Sequence, residues 1–191
     1  MGGKSYTGKG DGGDSGLPSG TRARKSEPIF EAVGMLDELN SVIGMARVEA
    51  GKGKTKDAES PEVPQDEQLE MIQADLFEAG SYLCGYWPAE KAEVFNQKLK
   101  RLEVWIDKMD AEMPALSNFI LPGGCPLSAE LHYARTVCRR VERRVEGIDV
   151  PAKKFILPYL NRLGSYFFAR ARFENLSAGV SETVWKTKEN E

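Results

Sequence analysis

Two stretches of this chain carry residues that could do chemistry. The first is YTGKGDGGDSGL, residues 6–17, in which glycines alternate with polar and charged side chains. Successive glycine amides can fold into a nest that binds anions, and Lys9, Arg22, Arg24 and Lys25 place positive charge around it. The second is LHYARTVCRRVERRVEG, residues 131–147. Helical spacing puts His132, Arg135, Arg139, Glu142 and Glu146 on one face, sends Arg140 and Arg144 elsewhere, and leaves Arg143 at the edge. Arginines held in place by carboxylates form a preorganised clamp for phosphate. Asp37 and Glu38, in mid-helix upstream, are carboxylates of that kind. What the two stretches share is a set of groups that could bind phosphate.

Neither stretch decides the matter alone. Gly8-x-Gly10-x-x-Gly13 spells a dinucleotide fingerprint, and Gly8-x-x-x-x-Gly13 approaches a P-loop. Both motifs need a strand before them and a helix after. Here only five residues precede Tyr6, and Pro18, Ser19 and Gly20 follow. Asp14 also stands where a P-loop needs lysine. A flexible glycine-rich terminus stays open as the plain alternative. For the arginines the plain alternative is a solvated face with i,i+4 pairs to nearby glutamates. RNA binding is disfavoured by those glutamates and by the lack of stacking aromatics nearby. His132 reads as a satisfied structural histidine, with no role assigned to it.

Composition narrows the classes. At 191 residues the chain is read as one domain, 1–191, able to bury a real core. A net charge of -3 calls for neither nucleic acid nor a membrane surface. No apolar run reaches the roughly 18–20 residues that would span a bilayer. Cys84, Cys125 and Cys138 are widely spaced without a CxxC, which suits reduced thiols. A single histidine excludes multi-histidine metal centres, so no protein-held metal is expected. The expected location is the cytoplasm, or the mitochondrial matrix in a eukaryote, because no targeting segment is visible.

Helices must position these residues, since the pattern is helical almost throughout. Ser26 and Pro28 open a first helix whose apolar stripe runs Ile29, Ala32, Val33, Leu36, Leu39, Ile43 and Ala46. Residues 51–65 read as a mobile polar linker. A second helix turns Leu69, Ile72, Leu76, Phe77 and Leu83 inward, and a third, from about Ala89 to Met113, uses Phe95, Leu99, Leu102, Ile106 and Met109. NFILPGGCPLS then breaks the pattern, and Pro126 restarts it. The fourth helix has the cleanest seam: Leu127, Leu131, Ala134, Cys138, Val141, Val145 and Ile148. A fifth starts around Pro158, and the tail 179–191 is polar apart from Val184 and Trp185. No strand pattern is visible. The expected fold is all-α, a five-helix antiparallel bundle with a glycine-rich loop over residues 1–26.

Four blocks, in this order, resemble the PduO-type ATP:cob(I)alamin adenosyltransferase family. They are YTGKGDGGDSGL with Lys25, EAVGMLDELNSVIGMA, FILPGG, and LHYARTVCRRVERRV followed by YLNRLGSYFFARAR. The resemblance covers the chain apart from the linker and tail. It implies a helical bundle that assembles as a homotrimer with active sites between subunits. It also implies transfer of the 5'-deoxyadenosyl group of ATP to the cobalt of reduced cobalamin, releasing triphosphate, with Mg2+ held through the ATP phosphates. By this resemblance Thr7, Gly8, Lys9, Gly10, Ser15, Gly16 and Lys25 bind ATP, as do Arg139, Arg140, Val141, Glu142, Arg143 and Asn161. Asp37 and Arg135 match an intersubunit salt bridge, and Arg139 matches a catalytic arginine. Phe119 matches the aromatic that closes the lower face of the corrin, and so is both catalytic and cobalamin-binding. A reductase and an adenosylcobalamin-dependent mutase are the further partners implied. Asp14 departs from the family, which commonly has Thr or Ser there. The rival from another class is a non-catalytic ATP-binding sensor or carrier, which would have no need of Phe119 and Arg139 together.

Overall fold

A computed structural model describes residues 5–52 and 65–186. The order is β1 (Asp14–Gly16), β2 (Arg22–Arg24), α1 (Pro28–Gly51), α2 (Gln65–Leu83), a 3-10 turn (Ala89–Val94), α3 (Phe95–Glu112), α4 (Pro126–Glu146) and α5 (Lys153–Ser177). The fold is the expected five-helix bundle. Most of the expected linker, 51–65, lies outside the described residues. Among the described residues no helix is long and apolar enough to cross a membrane.

Helix α4 sits between α1 and α5, α3 packs on α5, and α2 on α1. Every residue of the α4 seam is buried, from Leu127 to Ile148. The bundle is closed by one buried carboxylate. Asp75 of α2, 2% exposed, accepts hydrogen bonds from Lys98 Nζ (2.6 Å) and Arg101 of α3 and from Tyr159 Oη of α5 (2.8 Å). A buried charge is tolerable only when its partners surround it in this way. Burial first, and Asp75 second, push the Tyr159 hydroxyl well up, so it stays a donor.

The structure departs from sequence expectation at five places. The N-terminal segment contains strands after all: β1 and β2 pair antiparallel, Asp14 opposite Arg24 and Gly16 opposite Arg22. Ser26 does not cap α1; the cap is Glu27 without a side-chain bond, and Pro28 occupies the first turn. The stretch from Ala89 begins as a 3-10 turn and becomes α-helical only at Phe95. Helix α5 starts at Lys153, and Pro158 lies inside it, close enough to the start that only the Lys154 carbonyl loses a helical donor. Phe77 is 69% exposed, because its neighbour Leu76 takes the inward position.

The tail is not simply polar. Ile120 and Val184 form an antiparallel bridge, flanked by Leu121 N–H to Thr183 O and Trp185 N–H to Phe119 O, both 2.8 Å. A chain segment 64 residues downstream, from Ile120 to Val184, thus pairs with the break between α3 and α4.

Candidate active site

The glycine loop is built by local hydrogen bonds that its glycines permit. Asp11 N–H bonds to Gly8 O and Gly13 N–H to Gly10 O, each at 3.2 Å, closing two successive turns. Gly8 and Gly13 hold φ values of 68° and 85°, which side-chain-bearing residues rarely adopt. Thr7 Oγ1 accepts from Lys9 N–H at 3.4 Å. Arg22 staples the loop: its Nη2 donates to the carbonyls of Lys9 (2.5 Å) and Asp14 (3.0 Å). Lys25 returns across the loop, with Lys25 N–H on Gly13 O at 2.9 Å. Its ammonium lies over Gly10, where a Cβ would come within 3.1 Å of Nζ. Thr7, Gly8, Lys9, Gly10, Ser15, Gly16 and Lys25 therefore lie within one folded loop. Sequence reading counted Arg22 only as charge and missed its position across the loop. Its hydrogen-bond acceptors are carbonyls, which no residue pattern announces.

The second half of the site is a cleft of about 500 Å3 between α3, α4 and α5, lined by Arg135, Arg139, Asn161, Ser165 and Phe168 among others. The Arg135 guanidinium lies 5.5 Å over the Phe168 ring, a cation–π contact that fixes its direction. Asn161 Nδ2 donates to Glu142 Oε1 at 2.8 Å. Arg139 lines the cleft and has no ion-pair partner among the described residues. Its neighbours behave differently. Arg140 is paired with Glu38 of α1, and Arg144 reaches Glu31 at 3.6 Å. Val141 is fully buried in the seam, so its side chain cannot meet a nucleotide on the polar face, a correction to the expected ligand set. Arg143 is exposed. Asp37 is also exposed, and within one chain it forms no ion pair with Arg135.

A smaller cleft, about 470 Å3, lies on the other side of segment 113–116, and its lining includes Ile120, Leu176, Val180 and Val184. Arg172, missed in the sequence, stands between the two. It donates to Pro114 O (3.0 Å) and Glu182 Oε1 (2.9 Å), holding the shared wall to the tail. Phe119 is 78% exposed, and its ring meets Trp185 edge-on at 6.3 Å. His132, expected to be a satisfied structural histidine, is buried but not fully satisfied. It is 4% exposed, its ring faces Phe168 at 6.0 Å, and Nε2 has no hydrogen-bond partner among the described residues. Burial, then Arg135, lowers its pKa. Among the described residues no group of three His, Cys, Asp or Glu side chains could hold a metal.

Residues 5–174 match the model of the family described as cobalamin adenosyltransferase. The chain belongs to that family. It is 38% identical over 186 residues to the corrinoid adenosyltransferase of Bacillus subtilis (strain 168), covering 96% of this chain and 92% of that one. It is likewise 38% identical over 194 residues to the corrinoid adenosyltransferase of Bos taurus, covering 96% and 76%. Among solved structures it resembles a Phe-to-His variant of a PduO-type ATP:corrinoid adenosyltransferase from Lactobacillus reuteri complexed with cobalamin and ATP. The TM-score is 0.80 and the identity 31%, over 98% of this chain and 99% of that one. An Arg-to-Lys variant of the Lactobacillus reuteri enzyme, complexed with ATP, gives 0.75 and 30% over 95% and 99%.

Proposed function

We infer that this chain transfers the 5'-deoxyadenosyl group of ATP to the cobalt of cob(I)alamin, giving adenosylcobalamin and triphosphate. The observation that carries this reading is Arg139, a guanidinium without a carboxylate partner among the described residues, lining a cleft with Arg135 and Asn161. The cobalt lone pair forms the bond to C5' as the C5'–O bond breaks, and triphosphate leaves with that bond's electrons. No proton moves at the reacting carbon, so no general base is needed. The step requires charge stabilisation on the leaving group, which Arg139 supplies.

Thr7, Gly8, Lys9, Gly10, Ser15, Gly16 and Lys25 enclose the ATP, while Glu142, Arg143 and Asn161 contact it from the helical face. Mg2+ binds through phosphate oxygens of the nucleotide. Phe119 lies beneath the corrin and displaces the lower axial ligand, which makes cobalt(II) easier to reduce. The loop hydrogen bonds from Thr7 to Lys25 are internal to the loop, and the cleft is a separate concavity. A homotrimer in which one copy's loop covers the next copy's cleft, with Asp37 and Arg135 paired across the boundary, joins the two halves. A reductase delivers the electron and an adenosylcobalamin-dependent mutase receives the product.

The test is an anaerobic assay with Mg-ATP and chemically reduced cobalamin. Formation of adenosylcobalamin with stoichiometric triphosphate is the expected result. ATP binding without a new cobalt–carbon bond would assign the chain to the sensor or carrier class.

A further inference from the structure

We propose that Asn175, near the end of α5, is the positioning residue that aims Phe119. The proposal rests on the reading of Phe119 as the residue beneath the corrin. Asn175 is 2% exposed, and its amide is used from both ends. Oδ1 accepts from Cys125 N–H at 2.9 Å, and Nδ2 donates to Gly123 O at 3.1 Å. Its backbone carbonyl accepts from Val180 N–H at 2.8 Å. One residue therefore ties together the 122–125 turn, the end of α5 and the start of the tail.

The turn is shaped to receive that amide. Gly124 has φ +109°, and a Cβ there would fall 2.0 Å from Asn175 Oδ1. Glycine is required at that position twice over, by backbone conformation and by contact. Ser128 Oγ adds a second donor to Gly123 O at 3.0 Å.

From these two anchors the chain runs in two directions that meet again. Leu121 and Phe119 lie just before the turn, Thr183 and Trp185 just after Val180, and they pair through the two 2.8 Å backbone bonds already described. The Phe119 ring is 78% exposed, with Trp185 as its aromatic neighbour. A ring so exposed is not aimed by core packing, so its direction is set by the backbone that carries it. A two-stranded pairing this short is marginal by itself in water, and so it depends on what fixes its ends. Asn175 fixes both.

The test uses the full chain carrying Asn175→Ala, first without ligand. Amide hydrogen exchange at Cys125, Leu121 and Trp185 should accelerate by about tenfold or more, while the α1 and α4 core amides keep their protection. Unchanged exchange at those three amides overturns the proposal. Gly124→Ala pushes the same amide from the other side and should give the same exchange pattern. Asn175→Asp sets a carboxylate oxygen against Gly123 O where the donor stood, so its exchange should be at least as fast as that of Asn175→Ala; Gly124→Ala carries the measurement if Asn175→Ala does not fold. With cobalt(II) cobalamin and Mg-ATP, the Asn175→Ala protein should keep its KM for ATP and form less of the four-coordinate cobalt(II) species, with kcat falling accordingly. Fast exchange with undiminished four-coordinate cobalt would overturn the Phe119 reading and leave Asn175 as the anchor of the pairing.

Discussion

Arg139 and Arg140 are adjacent in sequence and opposite in circumstance, because one step along a helix rotates a side chain by about a quarter turn or more. That rotation gives Arg140 to Glu38 of α1 and leaves Arg139 on the cleft with no ion-pair partner among the described residues. Removing Arg139 breaks no described ion pair. Arg139→Ala should therefore melt close to the parent protein while kcat falls about 100- to 1,000-fold, the usual loss for one donor to developing transition-state charge. A folded variant with near-normal turnover would assign the arginine to solvent. His132 makes a second residue-scale case, read by pH. Its pKa is lowered in the fold, chiefly by burial and next by Arg135, with Glu182 opposing. The unfolded chain then binds a proton more readily than the native one, so stability falls as pH drops through the ordinary histidine value of about 6.5. His132→Phe keeps the ring contact with Phe168 and removes the titration. Its melting temperature relative to the parent should rise between pH 7.5 and pH 5, and a constant offset across that range would show that the imidazole is not coupled to folding.

At the scale of elements, the glycine loop is held in shape without a Rossmann or P-loop scaffold. Its stiffness comes from the β1–β2 pairing and from Arg22, which spans the loop by two carbonyls. Arg22→Ala deletes that span while every side chain proposed to contact ATP is kept. The expected effect is a rise of about tenfold in KM for ATP with kcat little changed, since the loop must be ordered by the ligand instead. An unchanged KM would mean that the hairpin alone orders the loop. The hairpin was not legible in the sequence because three-residue strands are too short to show alternation. The α4 seam was legible, and every position named there is buried, because a long helix packed on two sides repeats its constraint seven times. Phe77 was misread because adjacent Leu76 and Phe77 cannot both face inward, and the stripe through Leu69, Ile72 and Leu83 selects Leu76. Pro158 was misread as a start, although a proline near the first turn is tolerated inside the helix. The pairing of Phe119–Leu121 with the tail was hidden for another reason. It joins segments 64 residues apart, Ile120 to Val184, and nothing local in either one names its partner.

Over the whole molecule, the residues read as the site fall into two groups: the loop around Lys9 and Lys25, and the cleft around Arg139 and Asn161. The hydrogen bonds that shape the loop close on themselves, and the cleft opens between α3, α4 and α5. If neighbouring copies in a trimer complete each other's sites, the two groups can be separated genetically. A chain carrying Lys25→Ala keeps a good cleft, and a chain carrying Arg139→Ala keeps a good loop. Each variant alone builds only sites with one damaged half. Refolded together in equal amounts, they assort at random, and a site is intact when its loop comes from one chain and its cleft from the other. With each intact half supplied half of the time, about a quarter of the sites recover in a closed heterologous ring. The measurement is adenosylcobalamin formation by the mixed protein against the parent and against an unmixed sum of the two variants. Recovery near a quarter places the loop of one subunit over the cleft of the next. Activity no higher than the unmixed sum would mean that each chain closes its loop over its own cleft, because mixing chains cannot then repair either half.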